Sequence, residues 1–492
     1  MTHELCLDNL NAISASAAVP KYQRSQLSPG ILHFGVGNFH RAHQACYLNA
    51  LFNSGRDHDW AIVGAGVMAS DEHMRLALSR QDYLSTVVEM EAEANSAEVT
   101  GAMIDFLAPG NSRAVIENLA DPAIRIVSLT ITEGGYFIDP ASGKFDPEAL
   151  AIQADAAHPD QPGTVFGLIA AGLRRRREAG TPPFTVMSCD NVPHNGVVTR
   201  NAVTGLARLT DPDFADWIAN EVSFPNGMVD RITPATSDRE REILRRDFGI
   251  ADASPVFCEG FTQWVLEDNF PTGRPRLEHV GVQFVPDVTP YENMKIRILN
   301  GGHAVIAYLA GLQDIHFAHE AMANPLVKGF LDKVELEEII PMVPPVPDTD
   351  LKDYFDLIVR RFSNPKIGDT VRRLCLDGSN RQPKFIVPSI ADNLASDGPI
   401  EGLALESALW CRYCHGSTES GAVIEPNDPD WERLTRMAGL ARQDPLAWLS
   451  MHDIYGDVGT SPRFKAAFTS ALQAVWRDGA AASAARYIGS AG

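Results

Sequence analysis

The sequence is poor in positive charge. Its 492 residues include 42 Lys and Arg against 63 Asp and Glu, which gives a formal net charge of −21 at pH 7. The basic residues are scattered along the chain, whereas nucleic-acid binding needs a basic footprint on one face. An anionic membrane surface would repel a chain of this charge. We therefore expect neither a nucleic-acid nor a membrane partner.

Long apolar runs are absent as well, and cysteines are few. No apolar run approaches the roughly 18 residues of a membrane-spanning helix, and the first residues, MTHELCLDNL, lack the apolar segment of a secretory signal. The seven cysteines are odd in number and widely spread, as in proteins whose thiols stay reduced. These features predict a soluble, cytoplasmic enzyme.

Short apolar, β-branched runs alternate with helix-like segments in the first half of the chain. Such runs are typical of strands buried on both faces of a sheet, and their alternation with helices favours a parallel, doubly wound α/β fold. The runs are ILHFGVG (31–37), WAIVGAG (60–66), IRIVSLTIT (124–132), FTVMSCDN (184–191) and GVQFV (281–285). One helix is predicted over residues 39–53.

The pattern changes after the last of these runs. Thr289, Pro290 and Glu292 are spaced as the N-cap, first residue and third residue of a helix that begins with a capping box. The helical patterns beyond it cover 291–312, 350–361, 404–415, 429–441 and 464–477. We therefore predict an α/β domain at 1–285 and a mainly α-helical domain at 286–492.

The stretch GVGNFHRAH follows the first predicted strand and precedes a helix. Gly35 and Gly37 stand where a dinucleotide-binding turn brings bare backbone amides to a pyrophosphate. The pattern reads G-x-G-x-x-H, because His40 occupies the place of a third glycine. A simple tight turn is the alternative. If the turn binds a dinucleotide, its contacts are Gly35, Gly37, Asn38 and Phe39.

An acidic residue, Asp71, follows the second predicted strand. An acid near the end of that strand can bind a ribose 2′-hydroxyl and repel a 2′-phosphate, which favours NAD over NADP. Its distance from the glycine turn exceeds the usual spacing of about twenty residues. A surface helix N-cap is the alternative for this aspartate.

Polar residues collect where other predicted strands end. The run SLTITEGGY ends in Glu133, TVMSCDN in Asp190 and Asn191, and VSFPNGMVD in Asn226 and Asp230. In open α/β sheets, ligands bind outside the carboxyl ends of the strands. These residues are therefore candidates for the wall of a ligand crevice.

The stretch TPYENMKIRILNGGHAV (289–305) places Lys295, Asn300 and His303 among apolar residues of a predicted helix. At 3.6 residues per turn, Lys295 and His303 lie about 80° apart around the axis. The adjacent glycines, 301 and 302, cost helix propensity, roughly 1 kcal/mol each, but let a ligand or another backbone approach. The alternative is a lysine that extends to solvent on a helix whose glycines serve packing.

The quoted segments resemble one known family. GVGNFHRAHQA, SLTITEGGY, MSCDNVPHNG, SFPNGMVDRITP and KIRILNGGH together are similar to the long-chain mannitol dehydrogenases, from about residue 28 to beyond 390. The resemblance implies a Rossmann-type N-terminal domain, a mainly helical C-terminal domain and an active site in the cleft between them. It also implies NAD-dependent, metal-independent oxidation of a polyol to a ketose, with D-mannitol and D-fructose as the expected pair and D-arabinitol or D-sorbitol as further substrates.

Family roles transfer to the matching positions. Lys295 is implied as the catalytic acid/base, Asn191 and Asn300 as hydrogen-bond donors to the reacting oxygen, His303 as a substrate contact and Glu133 as part of a proton path. The polyol contacts implied by the resemblance are Asp230, Arg373 and Arg381. Family members often carry lysine at the last position, and Ser70 replaces a second acid beside Asp71, so substrate preference and some use of NADP stay open. A monomer or small homo-oligomer is expected.

Two other functions compete with this one. A uronate reductase of the same wider family would need a cation for the substrate carboxylate, which Arg373 or Arg381 could supply. A dinucleotide sensor without catalysis would have no use for Lys295. Two metal-like patterns are discounted: CRYCH (411–415) matches a haem-attachment spacing in an apolar helical context, and His40 with His43 lacks a third ligand.

Overall fold

The computed structural model describes residues 2–91, 93–139 and 143–489. The chain divides into two compact units, Met1–Thr289 and Pro290–Gly492. Among the described residues, no helix combines the length and the apolar character needed to cross a membrane.

The first unit is built on a five-stranded parallel sheet with the strand order β6-β3-β2-β7-β8. Its strands are β2 (Pro29–Phe34), β3 (Ala61–Ala65), β6 (Met103–Leu107), β7 (Ile126–Leu129) and β8 (Thr185–Ser188). The strands β3 and β6 lie on one side of β2, and the later strands β7 and β8 lie on its other side. The strand order therefore reverses between β2 and β7. The crevice at the carboxyl ends of β2 and β7 is thus where such sheets bind ligands.

The sheet has an apolar core on each face, as the doubly wound prediction requires. Ile31 belongs to one buried cluster and Leu32 to the other, because successive side chains of a strand point to opposite faces. The helices of this unit are α1 (Leu10–Ile13), α2 (Asn38–Ala42), α3 (Gln44–Asn53), α4 (Asp71–Ser79), α5 (Ser112–Ala120), α6 (Leu150–Ala157), α7 (Val165–Ala179), α8 (Asn195–Arg208), α9 (Pro212–Glu221) and α10 (Asp238–Ile243). A π-helical turn at Leu244–Phe248 continues the last of these.

Four of the five apolar runs form strands of this sheet, which confirms those predictions. The single helix predicted over 39–53 is wrong, because the backbone of His43 (φ −123°, ψ −88°) leaves the helical region and separates α2 from α3. The run 281–285 is not a strand buried on both faces. It forms a three-residue strand at the edge of another sheet, and its side chains are exposed or half-buried.

Three smaller sheets complete the unit. The strands β9 (Gly227–Asp230), β12 (Gln263–Glu267) and β13 (Gln283–Val285) form one, in the order β13-β12-β9. The strands β4 (Ser85–Met90), β5 (Asn95–Thr100) and β11 (Val256–Cys258) form another, in the order β11-β4-β5. The short strands β1 (His3–Glu4) and β10 (Ile250–Ala251) pair with each other.

The second unit is helical, and its described residues form no strand beyond isolated bridges. Its helices are α11 (Thr289–Met294), α12 (Gly301–Leu312), α13 (Ala318–Ala323), α14 (Pro325–Val334), α15 (Leu351–Phe362), α16 (Val371–Leu374), α17 (Gly378–Phe385), α18 (Val387–Ser396), α19 (Glu401–Cys414), α20 (Trp431–Ala441), α21 (Leu446–Leu449), α22 (His452–Tyr455), α23 (Pro462–Asp478) and α24 (Ala480–Gly489). π-helical turns lie at Lys295–Asn300 and Glu335–Ile339. All five predicted helical segments are helical, and α12 and α19 are buried on nearly every side.

Candidate active site

The glycine turn joins β2 to α2, and its two glycines have different surroundings. Gly35 has φ +93°, and a Cβ atom there would lie 2.0 Å from the carbonyl oxygen of Thr130 at the end of β7. Gly37 has an extended backbone, and the nearest atom to a Cβ built there is the Gly35 oxygen at 3.9 Å. The fold itself therefore requires glycine at 35, whereas Gly37 faces open space in which a ligand can approach the backbone.

His40, in the place of a third glycine, packs on another histidine. Its ring stacks on His33 of β2 with the centroids 3.4 Å apart and the planes 15° apart. Both rings are buried, and burial lowers the pKa of His33 to about 3 and that of His40 well below its usual value. His33 Nε2 lies 3.1 Å from the Gly35 carbonyl oxygen. Two neutral, flat rings thus pack helix against strand where other dinucleotide-binding turns use glycine.

The side chains of the next two turn residues contact protein atoms. The Asn38 amide donates to the Pro234 carbonyl at 3.3 Å and accepts from Arg41 at 2.9 Å. Phe39 stacks on His43 with the ring centroids 4.8 Å apart. The side chains of Asn38 and Phe39 therefore help to hold the turn in place, and Gly37 has open space beside its backbone.

Asp71 is the first residue of α4, after the N-cap position at Ser70. Its Oδ2 atom accepts hydrogen bonds from the amides of Val67 and Met68 at 2.8 and 2.9 Å. These amides belong to the loop that leaves β3. The carboxylate is thus fixed at the carboxyl end of the strand next to the glycine turn.

Glu133 and Asn191 lie at the carboxyl ends of β7 and β8. Glu133 begins a short 3₁₀ turn, Glu133–Tyr136, and its side chain is exposed. Asn191 is exposed too and follows the buried Asp190. The Asp190 carboxylate accepts from the amides of Ile131 and Thr132, so it links the two strand ends. Glu133, Asp190 and Asn191 therefore lie at two adjacent strand ends of the first unit.

Asp230 is the last residue of β9 and is buried. It lies opposite Gln263 of β12 in the antiparallel pair. The neighbouring Arg231 is also buried, and its guanidinium donates to the carbonyl oxygens of Ala42 and Glu259 and to Glu89. Asn226, which the sequence also marked, has a structural role: its oxygen accepts from two amides at the start of α8.

In the second unit, the predicted lysine helix contains a π-helical turn. Lys295 begins this turn and Asn300 ends it, and the lysine side chain is buried, with 7% of the residue exposed. Because π-helical hydrogen bonds run from residue i to i+5, the angle of about 80° between Lys295 and His303, which holds for an ideal α-helix, does not apply here. Turns of this kind frequently occur at functional sites. His303, in the first turn of α12, stacks on Phe362 with the ring centroids 4.0 Å apart.

The two glycines after Asn300 pack against protein. A Cβ at 301 would lie 3.4 Å from the Phe385 carbonyl oxygen, and one at 302 would lie 3.1 Å from Oε1 of Glu335. Both residues are buried, and Gly301 is α-helical. The geometry corrects the hypothesis that these glycines open the backbone to substrate and agrees with the alternative, helix packing.

Three arginines are near enough to His303 for their charges to act on it. Burial and the charges of Arg373, Arg361 and Arg381 lower the pKa of His303 well below its usual value. Arg373 forms an ion pair with Asp369, and Arg381 donates to the carbonyl oxygens of Arg373 and Leu374 at 3.4 and 3.2 Å. The structure therefore brings His303 and the two predicted arginines together within the second unit.

Sequence reasoning missed Arg361, which is buried. It lies on the apolar side of α15, three residues after Ile358 and beside Phe362, both of which are buried. A charged residue on the apolar stripe of an amphipathic helix is the signal that would have found it. Glu335, also missed, is fully buried beneath Gly302, and neither of its oxygens has a hydrogen-bond partner among the residues that the structure describes.

The other sequence patterns have structural roles. Cys411 and Cys414 are free, buried thiols in α19. The Nε2–H of His43 donates to the Gln263 carbonyl oxygen at 3.0 Å, since a carbonyl oxygen can only accept. Within residues 2–91, 93–139 and 143–489, no group of three or more His, Cys, Asp and Glu side chains is arranged to hold a metal ion.

Comparison with known proteins gives the family. Residues 29–279 match the mannitol dehydrogenase Rossmann domain, and residues 287–476 match the mannitol dehydrogenase C-terminal domain. The chain is 60% identical over 477 residues to mannitol 2-dehydrogenase of Cereibacter sphaeroides, covering 97% of this chain and 100% of that protein. It is 42% identical to mannitol 2-dehydrogenase of Aspergillus fumigatus over 492 residues, with 98% of each chain covered.

Solved structures agree. Pseudomonas fluorescens mannitol 2-dehydrogenase, in a ternary complex with NAD and D-mannitol, matches with a TM-score of 0.88 and 44% identity over 99% of each chain. A D-sorbitol dehydrogenase in substrate-free form matches with a TM-score of 0.90 and 35% identity, over 97% of this chain and 99% of that one. The resemblance drawn from the sequence motifs is confirmed, and the chain is an oxidoreductase that belongs to the mannitol dehydrogenase family.

Proposed function

We propose that this protein catalyses the NAD-dependent, metal-independent oxidation of D-mannitol to D-fructose. The observation that carries the proposal is the buried lysine at the head of the π-helical turn, followed by Asn300 and His303, in a chain 60% identical to a mannitol 2-dehydrogenase. Oxidising a secondary alcohol removes a hydride from carbon and a proton from oxygen. When bound, the nicotinamide of NAD accepts the hydride.

Lys295 takes the proton in this proposal. A lysine acts as a base only in its neutral form, and burial disfavours the charged form. A base held within hydrogen-bond reach of the hydroxyl lowers the barrier most when its pKa lies near the working pH. The burial of Lys295 supports this role, whereas an exposed amine would favour a lysine that merely reaches solvent.

Asn191, Asn300 and His303 hold the reacting oxygen. Negative charge develops on this oxygen as the proton leaves, and an amide N–H aimed at it stabilises the charge, by roughly 3 kcal/mol for one such donor in comparable sites. Because burial and the three arginines lower the pKa of His303, its imidazole is neutral and offers one donor and one acceptor. Glu133, exposed on its turn, suits a carboxylate that passes the proton to solvent.

Asp230, Arg373 and Arg381 bind the remaining hydroxyl groups of the polyol. A carboxylate accepts and a guanidinium donates, so the set is complementary to a chain of hydroxyl groups.

NAD is the proposed cofactor, with weaker use of NADP. The open space beside Gly37 fits the approach of a pyrophosphate to the backbone. Asp71, held at the end of β3 by two amides, places a negative charge where a 2′-phosphate would be repelled. The seven free cysteines are consistent with a reducing compartment, and we propose a cytoplasmic location.

D-sorbitol is the second candidate substrate, because a D-sorbitol dehydrogenase matches at 35% identity over 97% of this chain. A uronate reductase is less well supported. Its substrate carboxylate would need a positive charge of its own, but the charge of Arg373 is already offset by Asp369, which engages Nε and Nη2. A polyol hydroxyl needs only an N–H donor, and Arg381 keeps donors for it because Nη1 makes both bonds to backbone carbonyls.

A substrate panel separates these functions. Purified protein is mixed with NAD or NADP and with D-mannitol, D-sorbitol, D-arabinitol, mannonate or altronate, and the absorbance of reduced cofactor is followed. We expect the highest kcat/KM with NAD and D-mannitol. Turnover of the acids alone would point to the uronate reductase, and absence of turnover in both reaction directions would leave a dinucleotide sensor.

A further inference from the structure

The carboxylate of Asp190 binds a strained turn that carries Glu133. We propose that Asp190 is a positioning residue for polyol oxidation: it holds the segment from Ile131 to Tyr136 and so fixes Glu133 relative to Asn191. The inference rests on the proposed function, in which Glu133 and Asn191 serve the reaction.

Both oxygens of the Asp190 carboxylate accept hydrogen bonds from the turn. Its Oδ2 accepts from the Ile131 amide at 2.9 Å and from the Tyr136 hydroxyl at 2.7 Å, and its Oδ1 accepts from the Thr132 amide at 2.8 Å. Since the Tyr136 hydroxyl gives its proton to the carboxylate, it accepts from the Ser188 hydroxyl at 2.6 Å. Only 8% of Asp190 is exposed, so water does not readily replace these bonds.

We call the three hydrogen bonds that Asp190 accepts from Ile131, Thr132 and Tyr136 the clamp. The turn needs this clamp because its backbone is strained. Thr132 has φ +64° and ψ 164°, and Phe137, at the other end, has φ +51°. Positive φ at a β-branched residue is a genuine outlier, and Thr132 lies in a region that only glycine populates readily. Such conformations persist where surrounding contacts impose them. The bond from the Thr132 amide to Asp190 is one of these contacts.

Asp190 joins the two strand ends that carry Glu133 and Asn191. Asp190 follows β8, and the turn follows β7, so the clamp joins the carboxyl ends of two adjacent strands. Asn191 is the next residue in the chain after Asp190, so its position is set by the end of β8. Glu133 directly follows the strained Thr132. A shift of the turn would therefore move Glu133 while leaving Asn191 in place.

The first test is the Asp190→Asn variant. An asparagine offers one oxygen, so its NH₂ group must face either the Thr132 amide or the pair formed by Ile131 and Tyr136. We expect kcat for D-mannitol to fall by about 10- to 100-fold, the scale of a misplacement near 1 Å, with NADH affinity unchanged. The pH dependence of kcat should change in the same direction as in a Glu133→Gln variant.

Asp155 supplies a matched control. It is 5% exposed and, like Asp190, accepts from two backbone amides and one hydroxyl, those of Gly163 and Thr164. It holds the start of α7, a helix that carries none of the candidate site residues. Asp155→Asn should lower stability and leave kcat and its pH profile unchanged. Equal losses of kcat in both variants would reduce the role of Asp190 to general stability and overturn the proposal.

Rescue by glycine separates positioning from folding. Thr132→Gly removes the strain, because glycine adopts positive φ without a Cβ clash. In the Asp190→Asn background it should restore a large part of kcat. No recovery in a double variant that is folded and binds NADH would contradict the clamp.

Hydrogen exchange tests the clamp without any assay of activity. The amides of Ile131 and Thr132 should be protected in the wild-type protein and exchange faster in Asp190→Asn, with the strands β7 and β8 unaffected. If the wild-type protein oxidises no polyol, the proposed function fails independently of the clamp. Hydrogen exchange at the amides of Ile131 and Thr132 then tests whether Asp190 holds the turn. Unchanged protection in Asp190→Asn overturns it, and faster exchange at these amides alone supports it.

Discussion

Two glycine pairs stand beside polar residues in the sequence motifs, Gly35 with Gly37 and Gly301 with Gly302, and they differ in structure. Gly35, in the turn after β2, has positive φ and no room for a Cβ, and Gly37 faces open space. Gly301 and Gly302, after the π-helical turn, are buried against Phe385 and Glu335. A glycine next to polar residues in a motif is therefore not sufficient to identify a ligand-facing backbone. The surroundings of a Cβ atom built at the glycine, either protein or open space, show whether a ligand can approach its backbone.

The surrounding polar groups differ in the same way. Around Gly35, the buried histidines are neutral and stack on each other. Around the second pair lie a buried lysine and three arginines whose charges act on His303. The first region is thus suited to hold a turn for binding, and the second to move charge in a reaction. Variants in each region should therefore affect different measurements.

The largest expected effect is on catalysis in the second region. Lys295→Ala should lower kcat about 10³-fold, within the usual range for a general base, because in the proposed function Lys295 takes the proton from the hydroxyl. NADH binding, measured by fluorescence titration, should not change.

Lys328→Ala is the control for this variant, since Lys328 lies on α14 of the same unit and forms a partly exposed ion pair with Asp332. It should keep wild-type kcat. Near wild-type turnover in Lys295→Ala would remove this lysine from the mechanism.

The next effect separates the two glycines of the first region. Gly35→Ala places a methyl group 2.0 Å from the Thr130 oxygen at φ +93°, and we expect the free energy of unfolding to fall by about 3–5 kcal/mol. Gly37→Ala should change stability by less than about 1 kcal/mol. Its methyl group should instead weaken NADH binding at least tenfold, or about 1.4 kcal/mol. Urea unfolding and NADH titration measure the two effects. A Gly37→Ala variant with wild-type affinity would place the pyrophosphate elsewhere.

A smaller effect concerns a buried acid of the second unit. Burial raises the pKa of Glu406 to about 8, and the Gln382 amide donates to it. An acid with a raised pKa in the folded state binds protons that the unfolded state has already lost, so stability falls as pH rises from about 4.5 towards 8. Between pH 5 and pH 7 the wild-type protein should lose about 2.5 kcal/mol more than Glu406→Gln. Parallel curves of unfolding free energy against pH would contradict this assignment.

Much of the fold was predictable because local patterns determine it. Four buried strands, the five helical segments and the family followed from apolar runs, helix periodicity and motifs. The break at His43 and the π-helical turn at Lys295–Asn300 did not, because each depends on packing in three dimensions. The edge strand at Gln283–Val285 was misjudged because an apolar run does not reveal how many of its faces are covered.

The site was predictable in its residue types and less so in their roles. The motifs marked His40 and Asp190, but not the stacking of His40 on His33 or the bonds from Asp190 to residues almost sixty positions away. Contacts across strands depend on the strand order, which local periodicity does not give. Arg361 was not predicted because apolar periodicity identifies its helix but assigns no role to a charged residue on the apolar side.

The smallest expected effect tests the packing role of the second glycine pair. Gly301→Ala adds a methyl group at 3.4 Å from the Phe385 oxygen, an ordinary contact, in a helical residue. Alanine is favoured over glycine in a helix by up to about 1 kcal/mol, so thermal unfolding should show equal or slightly higher stability. Gly302→Ala, whose methyl group would lie 3.1 Å from the Glu335 carboxyl, should be slightly less stable. Because neither Cβ points to open space, KM for D-mannitol should stay at its wild-type value in both variants, and a large rise in KM for either would return these glycines to the substrate.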